Sequence, residues 1–111
     1  MRGAQKLCSA AEFERARKSR DRRADTLFVL QWVGNSGPEA RIGMAVSARA
    51  VGGAVGRNRV RRLIRESFRL RRGQLPAVDA FITARAGARA ASNAEIFASL
   101  GRLWQEIPSG Q

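Results

Sequence analysis

Two apolar segments in the first half of the chain have the residue pattern of β-strands. Residues 26–33 (TLFVLQWV) are nearly all strand formers, and we expect both faces of this strand to be buried or nearly so. Residues 41–47 (RIGMAVS) alternate between apolar and polar or small side chains. Their apolar face carries Ile42, Met44 and Val46. The short connection through residues 34–38 (GNSGP) favours a hairpin between the two strands.

A longer segment, residues 57–72 (RNRVRRLIRESFRLRR), has the spacing of an amphipathic helix. One face carries Val60, Leu63, Ile64, Ser67 and Phe68, with Leu70 at its edge. The opposite face carries Asn58, Arg61, Arg62, Arg65 and Arg69. Gly73 and Pro76 favour an end to the helix there. The apolar stripe is expected to pack on a sheet, so the arginine face should point outward.

Two further elements are predicted near the start and after the long helix. Ser9 and Glu12 fit a capping box, which predicts a short helix over residues 10–18. Residues 77–84 (AVDAFITA) are typical of a third strand.

The last predicted element is a helix that begins at a second capping box, formed by Ser92 and Glu95, and ends by Pro108. Its apolar stripe is Ile96, Leu100, Leu103, Trp104 and Ile107. We expect the core to include Phe28, Trp32 and Trp104. The glycine-rich segment 48–56 and the residues around Gly87 are expected to be loops. The resulting order of elements is α-β-β-α-β-α.

Composition excludes several classes of site. The chain has 111 residues, which suits one domain, and a formal net charge of +12 from 21 Lys and Arg against 9 Asp and Glu. It has no His and one Cys, Cys8, so an intrachain disulfide, a His-containing zinc site and a His-based nucleophile system are excluded. No apolar run is long enough to span a membrane, and no apolar segment follows Arg2 and Lys6, so we expect a cytoplasmic protein.

The charge pattern of residues 57–72 indicates a polyanionic partner. Eight of these sixteen residues are Arg, against a single acid, Glu66. Solvated helix faces usually mix charges of both signs, whereas the planar guanidinium group pairs well with phosphate. A second basic region spans residues 15–23, near Phe13. Phe13 is favoured as a core residue, but exposed beside Arg17 it would stack on an unpaired base.

Other classes fit the residues less well. The glycine-rich segment is not followed by Gly-Lys-Ser/Thr, which disfavours a nucleotide site. Strands on both sides of the basic helix disfavour a membrane-surface helix, and no preceding helix completes a helix-turn-helix for DNA. The acids are scattered, which disfavours a nuclease acting without RNA. From the residues alone, the chain is a small α+β protein that binds RNA or DNA, and a structural or ribosomal RNA-binding protein stays open.

The motifs in the middle of the chain indicate a more specific function than general binding of RNA or DNA. Residues 43–47 (GMAVS) and 51–69 (VGGAVGRNRVRRLIRESFR) closely resemble the bacterial ribonuclease P protein component. That family has a G-x-x-V-S strand, a V-G-x-A-V loop and an R-N-R-x-[KR]-R-x-x-R-E helix. Residues 79–85 (DAFITAR) fit its D-x-x-x-x-A-R pattern, and Leu7 and Phe13 fit its leading segment. The resemblance covers essentially the whole chain.

The resemblance implies a fold, a function and partners. The fold is one α+β domain over residues 1–111, with the order α-β-β-β-α-β-α, a mixed four-stranded sheet, a left-handed crossover through the R-N-R helix and an added short strand near residues 21–25. The function is that of the protein subunit of a ribonucleoprotein endoribonuclease, which removes the 5′ leader of precursor tRNA by magnesium-dependent hydrolysis. The catalytic RNA carries the active site and the magnesium. No residue of this chain is expected to be catalytic or to bind metal, and we expect a monomeric protein without a membrane or DNA partner.

The resemblance also assigns site residues. Contacts to the catalytic RNA are implied for Arg49, Arg57, Asn58, Arg59, Arg61, Arg62, Arg65 and Arg69. Contacts to the precursor-tRNA leader are implied for Phe13, Arg17 and Gln31. We expect Arg72 to be exposed and to matter little.

Four positions depart from the family pattern. Arg17 and Gln31 stand where many members have an aromatic residue, although Trp32 is adjacent to the second position. Ala48-Arg49 replaces a common Lys-Lys pair. The leader cleft is therefore expected to rely more on charge than on stacking.

Overall fold

The computed structural model describes residues 13–35 and 37–108. Its elements are α1 (Glu14–Arg17), β1 (Arg22–Ala24), β2 (Phe28–Gly34), β3 (Arg41–Ala45), α2 (Ala48–Val51), α3 (Ala54–Arg71), β4 (Val78–Ala84), α4 (Gly87–Ala90) and α5 (Asn93–Glu106), with a 3-10 turn (Arg72–Gln74) after α3. Apart from the single-turn helices α2 and α4, the order is the expected α-β-β-β-α-β-α. Cys8 and the capping box at Ser9 and Glu12 lie outside the described residues.

The four strands form one mixed sheet in the order β1-β2-β4-β3. β2 is antiparallel to β1 and β4, while β3 is parallel to β4. The short strand implied near residues 21–25 is confirmed as β1. Helix α3 connects β3 to β4, as a parallel neighbour requires a crossover.

The predicted hairpin between β2 and β3 is wrong, because β4 lies between them. β4 is buried at all but one of its positions, and such a strand belongs at the centre of a sheet. The chain leaving β2 passes the start of β4, where the Asn35 N–H donates to the Ala77 carbonyl over 2.9 Å. The length of the connection was therefore a poor guide to pairing, which a distant strand decides.

One face of the sheet is covered by α3 and α5 and holds the main core. The buried residues of α3 are the five predicted from its spacing: Val60, Leu63, Ile64, Ser67 and Phe68. The core also takes Phe28, Trp32 and Trp104, as expected. The Trp104 indole N–H donates to the Ser67 hydroxyl over 2.8 Å, which joins α5 to α3. The capping box of Ser92 and Glu95 is confirmed at the start of α5.

The segment expected to be a loop contains more helix than predicted. Residues 48–51 form α2, capped by Ser47, whose hydroxyl accepts from the Ala50 N–H. Gly52 then reverses the chain with a φ of 93°, a conformation that glycine adopts without strain. α3 consequently begins at Ala54, three residues before the predicted start. Gly87 likewise begins the single turn α4 rather than a loop.

The second face of the sheet carries a buried ion pair between neighbouring strands. Arg41 of β3 lies opposite Asp79 of β4. Its Nε and Nη2 donate to the two carboxylate oxygens of Asp79, each over 2.9 Å. The Asn35 amide donates to the same carboxylate, also over 2.9 Å. Asp79 thus ties the β2–β3 connection to both strands.

These contacts outweigh the cost of burying the carboxylate. Burial raises the pKa of Asp79, but the hydrogen bonds from Arg41 and Asn35 and the charges of Arg41 and Arg15 together lower it below its ordinary value of 3.8. The folded-state pKa is therefore below that of the unfolded chain. The resulting stabilisation is fully present above the unfolded-state pKa and is lost as the pH falls through the folded-state pKa.

We expect Asp79→Asn to lower the free energy of unfolding by about 3 kcal/mol near neutral pH, because Arg41 loses its charged partner at a largely buried site. In the wild-type protein the free energy of unfolding should fall between about pH 5 and pH 2. Urea titrations at each pH would measure both effects, and the variant should show a shallower pH dependence. The dependence that remains is expected from Asp25, whose pKa is also lowered. An unchanged slope in the variant would contradict this role of Asp79.

Candidate nucleic-acid interface

The outward face of α3 is a surface of arginines fixed in direction by the buried stripe of the helix. Arg62, Arg65 and Arg69 are exposed, and Arg61 is partly exposed. Arg62 pairs with Glu66 over 3.5 Å. Within the described part of the chain, Arg61, Arg65 and Arg69 have no carboxylate at ion-pair distance. The face therefore presents uncompensated guanidinium groups to solvent.

The N-terminal end of α3 extends this positive surface. Arg49 on α2 and Asn58 on α3 are exposed. The N-cap residue of α3 is Gly53, which has no side chain to cap the helix, and the first turn contains no acid. The unpaired N–H groups of a helix start carry partial positive charge, which adds to the field of the arginines.

One of the predicted RNA-binding arginines, Arg59, is engaged within the protein. Arg59 donates to the Asn93 side-chain oxygen over 2.6 Å and to the Ala91 carbonyl over 3.1 Å. It thereby joins α3 to the start of α5. The Arg57 side chain is half-buried, and its Nε has no hydrogen-bond partner among the described residues. Their assignment to RNA contact stays a prediction.

On the second face of the sheet, Phe13 at the start of α1 packs into a small core. Its side chain is 1% exposed and forms a cluster with Ala16 and Phe81. The Phe81 ring centroid is 6.1 Å away, and the Arg41 guanidinium carbon lies 5.6 Å from the Phe13 centroid. A Cβ at Gly43 would lie 2.9 Å from the Phe13 ring, so only glycine fits beneath it. The core interpretation of Phe13 is confirmed, and no face of the ring is open for stacking.

The other two predicted leader residues meet beside this cluster. The Arg17 guanidinium carbon lies 5.6 Å from the centroid of the Phe81 ring. The Gln31 side-chain amide donates to the Arg17 carbonyl over 2.7 Å, so Gln31 fastens the end of α1 to the sheet. The strand register places Arg22, Gln31, Phe81 and Gly43 in one row across the four strands. Phe13, Arg17 and Gln31 are thus brought together, around Phe81.

On the sheet face that carries α1, a row of small side chains crosses the four strands, and we refer to this row as the trough. The register aligns Ala24, Val29, Thr83 and Ala45. All four are exposed or half-buried. Arg22 is exposed on the same sheet face and, with Arg17, places positive charge beside the trough. Sequence reasoning missed Arg22, because a three-residue edge strand is too short to show an alternating pattern.

Arg72 differs from the expectation that it is exposed. Its side chain is 28% exposed and pairs with Glu39. Its Nε is buried without a hydrogen-bond partner among the described residues. Glu39 comes from the connection before β3, far away in sequence, so no local pattern could have predicted this contact.

The described carboxylates do not cluster in a group that could hold a metal ion. Across residues 13–35 and 37–108, no three Asp, Glu or Cys side chains cluster to hold a metal ion. Asp25 accepts a 2.5 Å hydrogen bond from Ser99. Burial raises the pKa of Asp25, but hydrogen bonds from Ser99, Phe28 and Leu27 and the charge of Arg102 lower it overall.

Among the residues that the structure describes, no helix is long and apolar enough to cross a membrane.

Comparison with known proteins agrees with this arrangement. The family model for ribonuclease P matches residues 1–108. The ribonuclease P protein component of Coxiella burnetii is 34% identical over 102 residues, covering 92% of this chain and 84% of that protein. That of Methylococcus capsulatus is 35% identical over 99 residues, covering 89% of this chain and 77% of that protein.

Comparison with solved structures shows that RNase P proteins have a similar fold. The Staphylococcus aureus RNase P protein superposes with a TM-score of 0.84 at 30% identity, covering 93% of this chain and 94% of that one. The fold of this chain, with its four-stranded mixed sheet, is therefore shared with solved RNase P proteins. This chain belongs to the ribonuclease P protein component family.

Proposed function

We propose that this chain is the cytoplasmic protein subunit that binds the catalytic RNA of ribonuclease P through α3 and the 5′ leader of precursor tRNA through the second face of the sheet. In this role it assists magnesium-dependent removal of the leader, which gives the mature tRNA 5′ end. Family membership supports the subunit assignment and a tRNA-processing role. The proposal that the protein binds RNA rests on the arginine face of α3. The helix packs on the core through its opposite face and contains few acidic residues.

The arginine face suits a folded RNA better than a flexible acidic peptide. Its arginines lie on one long helix whose opposite face is buried, so the backbone positions that carry them are fixed before binding. Preorganised groups lose less conformational entropy on binding. Phosphates crowded in a folded RNA repel each other, and fixed arginines relieve that repulsion while releasing bound counterions.

The trough beside α1 suits a single RNA strand. Its small side chains leave room for a backbone to lie close to the sheet, and Arg17 and Arg22 supply charge for phosphates. Phe13 would act here by supporting α1 from below rather than by stacking on a base, since its ring is covered. Contacts to the leader are absent for mature tRNA, so they would favour the substrate over the product.

Magnesium is the cofactor of this proposed reaction, and the side chains of the described segments do not suit it as a resident ion. Magnesium needs oxygen ligands in octahedral geometry. Asp79 is committed to Arg41 and Asn35, and Asp25 is committed to Ser99. The proposal therefore places the magnesium on the RNA. This chain's own contribution is to bind and position RNA and to lower the magnesium concentration that the folded RNA requires.

The test of this proposal is cleavage of a precursor tRNA at limiting magnesium. Four reactions are compared: no addition, the protein alone, a bacterial ribonuclease P RNA alone, and both together. We expect efficient cleavage at the mature 5′ end only with both. Cleavage by the protein alone would contradict the placement of the active site on RNA. Binding to the RNA without any stimulation would instead favour a structural RNA-binding protein.

Replacing Arg61 and Arg65 together with Gln should weaken binding to the ribonuclease P RNA by about 1–3 kcal/mol for each buried, bidentate contact that is lost. Because each lost phosphate contact also removes counterion release, the dependence of affinity on salt should become shallower. Filter binding across a salt series measures both quantities. Each single variant, Arg61→Gln or Arg65→Gln, is compared with Arg102→Gln on α5, the matched control, since it also removes one charge but lies away from α3. Losses in the single variants no larger than the loss in the control would contradict the placement of the interface.

Arg22→Gln should weaken the holoenzyme's binding of precursor tRNA and leave its binding of mature tRNA unchanged, because only the precursor reaches the trough. The loss should be about 1 kcal/mol, as for one phosphate contact at a partly exposed site. Competition binding with leaders of one and of several nucleotides measures the effect. A loss that does not depend on leader length would contradict the proposed path of the leader.

A further inference from the structure

A cleft between the second half of α3 and β3 is lined by apolar side chains and arginines together. Its volume is about 240 Å³, and its lining residues are Ile42, Arg65, Phe68, Arg69 and Arg72. Ile42 and Phe68 are buried core residues, whereas Arg65 and Arg69 are exposed. The cleft therefore has an apolar base from the core and a cationic margin.

Arg72, one of the residues that line this cleft, has an unsatisfied donor. Its terminal nitrogen Nη2 pairs with Glu39, which holds the guanidinium group in place. Its Nε is buried and has no hydrogen-bond partner among the described residues. A buried N–H without an acceptor is costly, so an arriving acceptor atom would be favoured there.

A second depression lies next to the first. Its volume is about 430 Å³, and it is lined by Pro38, Glu39, Arg69, Arg72, Gly73 and Leu75. Arg69 and Arg72 line both spaces. A ligand seated in the cleft could thus continue along the protein surface past two guanidinium groups, as a nucleic-acid backbone does.

The size and chemistry of the cleft select its occupant. Its volume lies below the roughly 300–1,000 Å³ of clefts for drug-sized ligands, so it suits a single flat ring system. A bare phosphate gains nothing from the apolar base formed by Ile42 and Phe68. A nucleobase gains from it, and guanidinium planes stack on bases while also binding the attached phosphate.

We propose that this cleft receives one unpaired nucleobase of the RNA that binds the arginine face of α3, an inference that rests on the function proposed above. The base lies against Ile42 and Phe68, and the Arg72 Nε–H donates to an acceptor on it. Arg65 and Arg69 bind the phosphates on either side. The helix then recognises a local feature of the RNA, an unstacked nucleotide, in addition to its charge.

The experiment uses nucleoside 5′-monophosphates as probes of the free protein, followed by NMR of the Ile42 methyl groups and the Phe68 ring. At constant ionic strength, we expect saturable shifts of these signals with a nucleotide and no such shifts with inorganic phosphate. Shifts of equal size with inorganic phosphate would overturn the proposal, as would shifts confined to other parts of the protein.

Two charge-conserving variants sharpen the test. Arg72→Lys keeps the positive charge and removes the Nε donor, so the nucleotide should bind about fivefold more weakly, the loss of one hydrogen bond. Arg71→Lys is the matched control, since Arg71 extends toward Gly101 of α5: a Cβ there would lie 3.1 Å from its Nη2. Equal effects of the two variants would overturn the role of Arg72.

Different experimental results would contradict the cleft proposal and the proposed function. If Arg61 and Arg65 prove essential for binding the ribonuclease P RNA while nucleotides leave Ile42 and Phe68 unaffected, the cleft proposal is overturned and the proposed function stands. If nucleotides bind in the cleft but the protein gives no stimulation of cleavage, the RNA-binding site stands without the proposed role in tRNA processing.

Discussion

The burial of one face of α3 against the sheet determines where every charged side chain of that helix points. The helix is 18 residues long, and its buried residues recur at intervals of three or four. Once that stripe is in the core, the remaining positions have no freedom to turn inward. The hydrophobic effect that folds the domain therefore also arranges the arginines. A substitution in the stripe would disturb the positive surface without changing any charge.

The opposite face of the sheet is organised by polar contacts instead. Asp79 joins β4, β3 and the β2–β3 connection through Arg41 and Asn35. Arg41 also lies over the Phe13 ring, so the same residue holds the small core beneath α1. The two faces therefore differ. One presents arginines from a helix that is packed on the apolar core, and the other carries both the Arg41–Asp79 ion pair and, on the far side of the Phe81 row, the trough.

Elements that depend on residues close together in the sequence could be predicted from it. For the buried stripe of α3, each of the five residues was predicted correctly. The capping box at Ser92 and Glu95 was equally clear, because four consecutive positions define it. The hairpin was wrong because pairing depends on β4, which lies more than forty residues after β2. Arg72 was misjudged for the same reason, since its position depends on Glu39. The prediction of β1 rests on the family resemblance, because three residues are too few to show the alternating pattern of a strand.

Helix α1 borders the trough, and because it is short its stability depends on few contacts with the rest of the fold. Residues 14–17 make a single turn, which cannot hold its own helical conformation. Its position depends on the Phe13 ring, on the bond from Gln31 to the Arg17 carbonyl and on the contact of Arg15 with the Gly34 carbonyl. Detaching this turn would break these contacts and those of Ala16 and Arg17 with Phe81, but it would leave the pairing of the strands intact. Backbone amides in α1 should therefore exchange with solvent through local opening, far faster than those of β4.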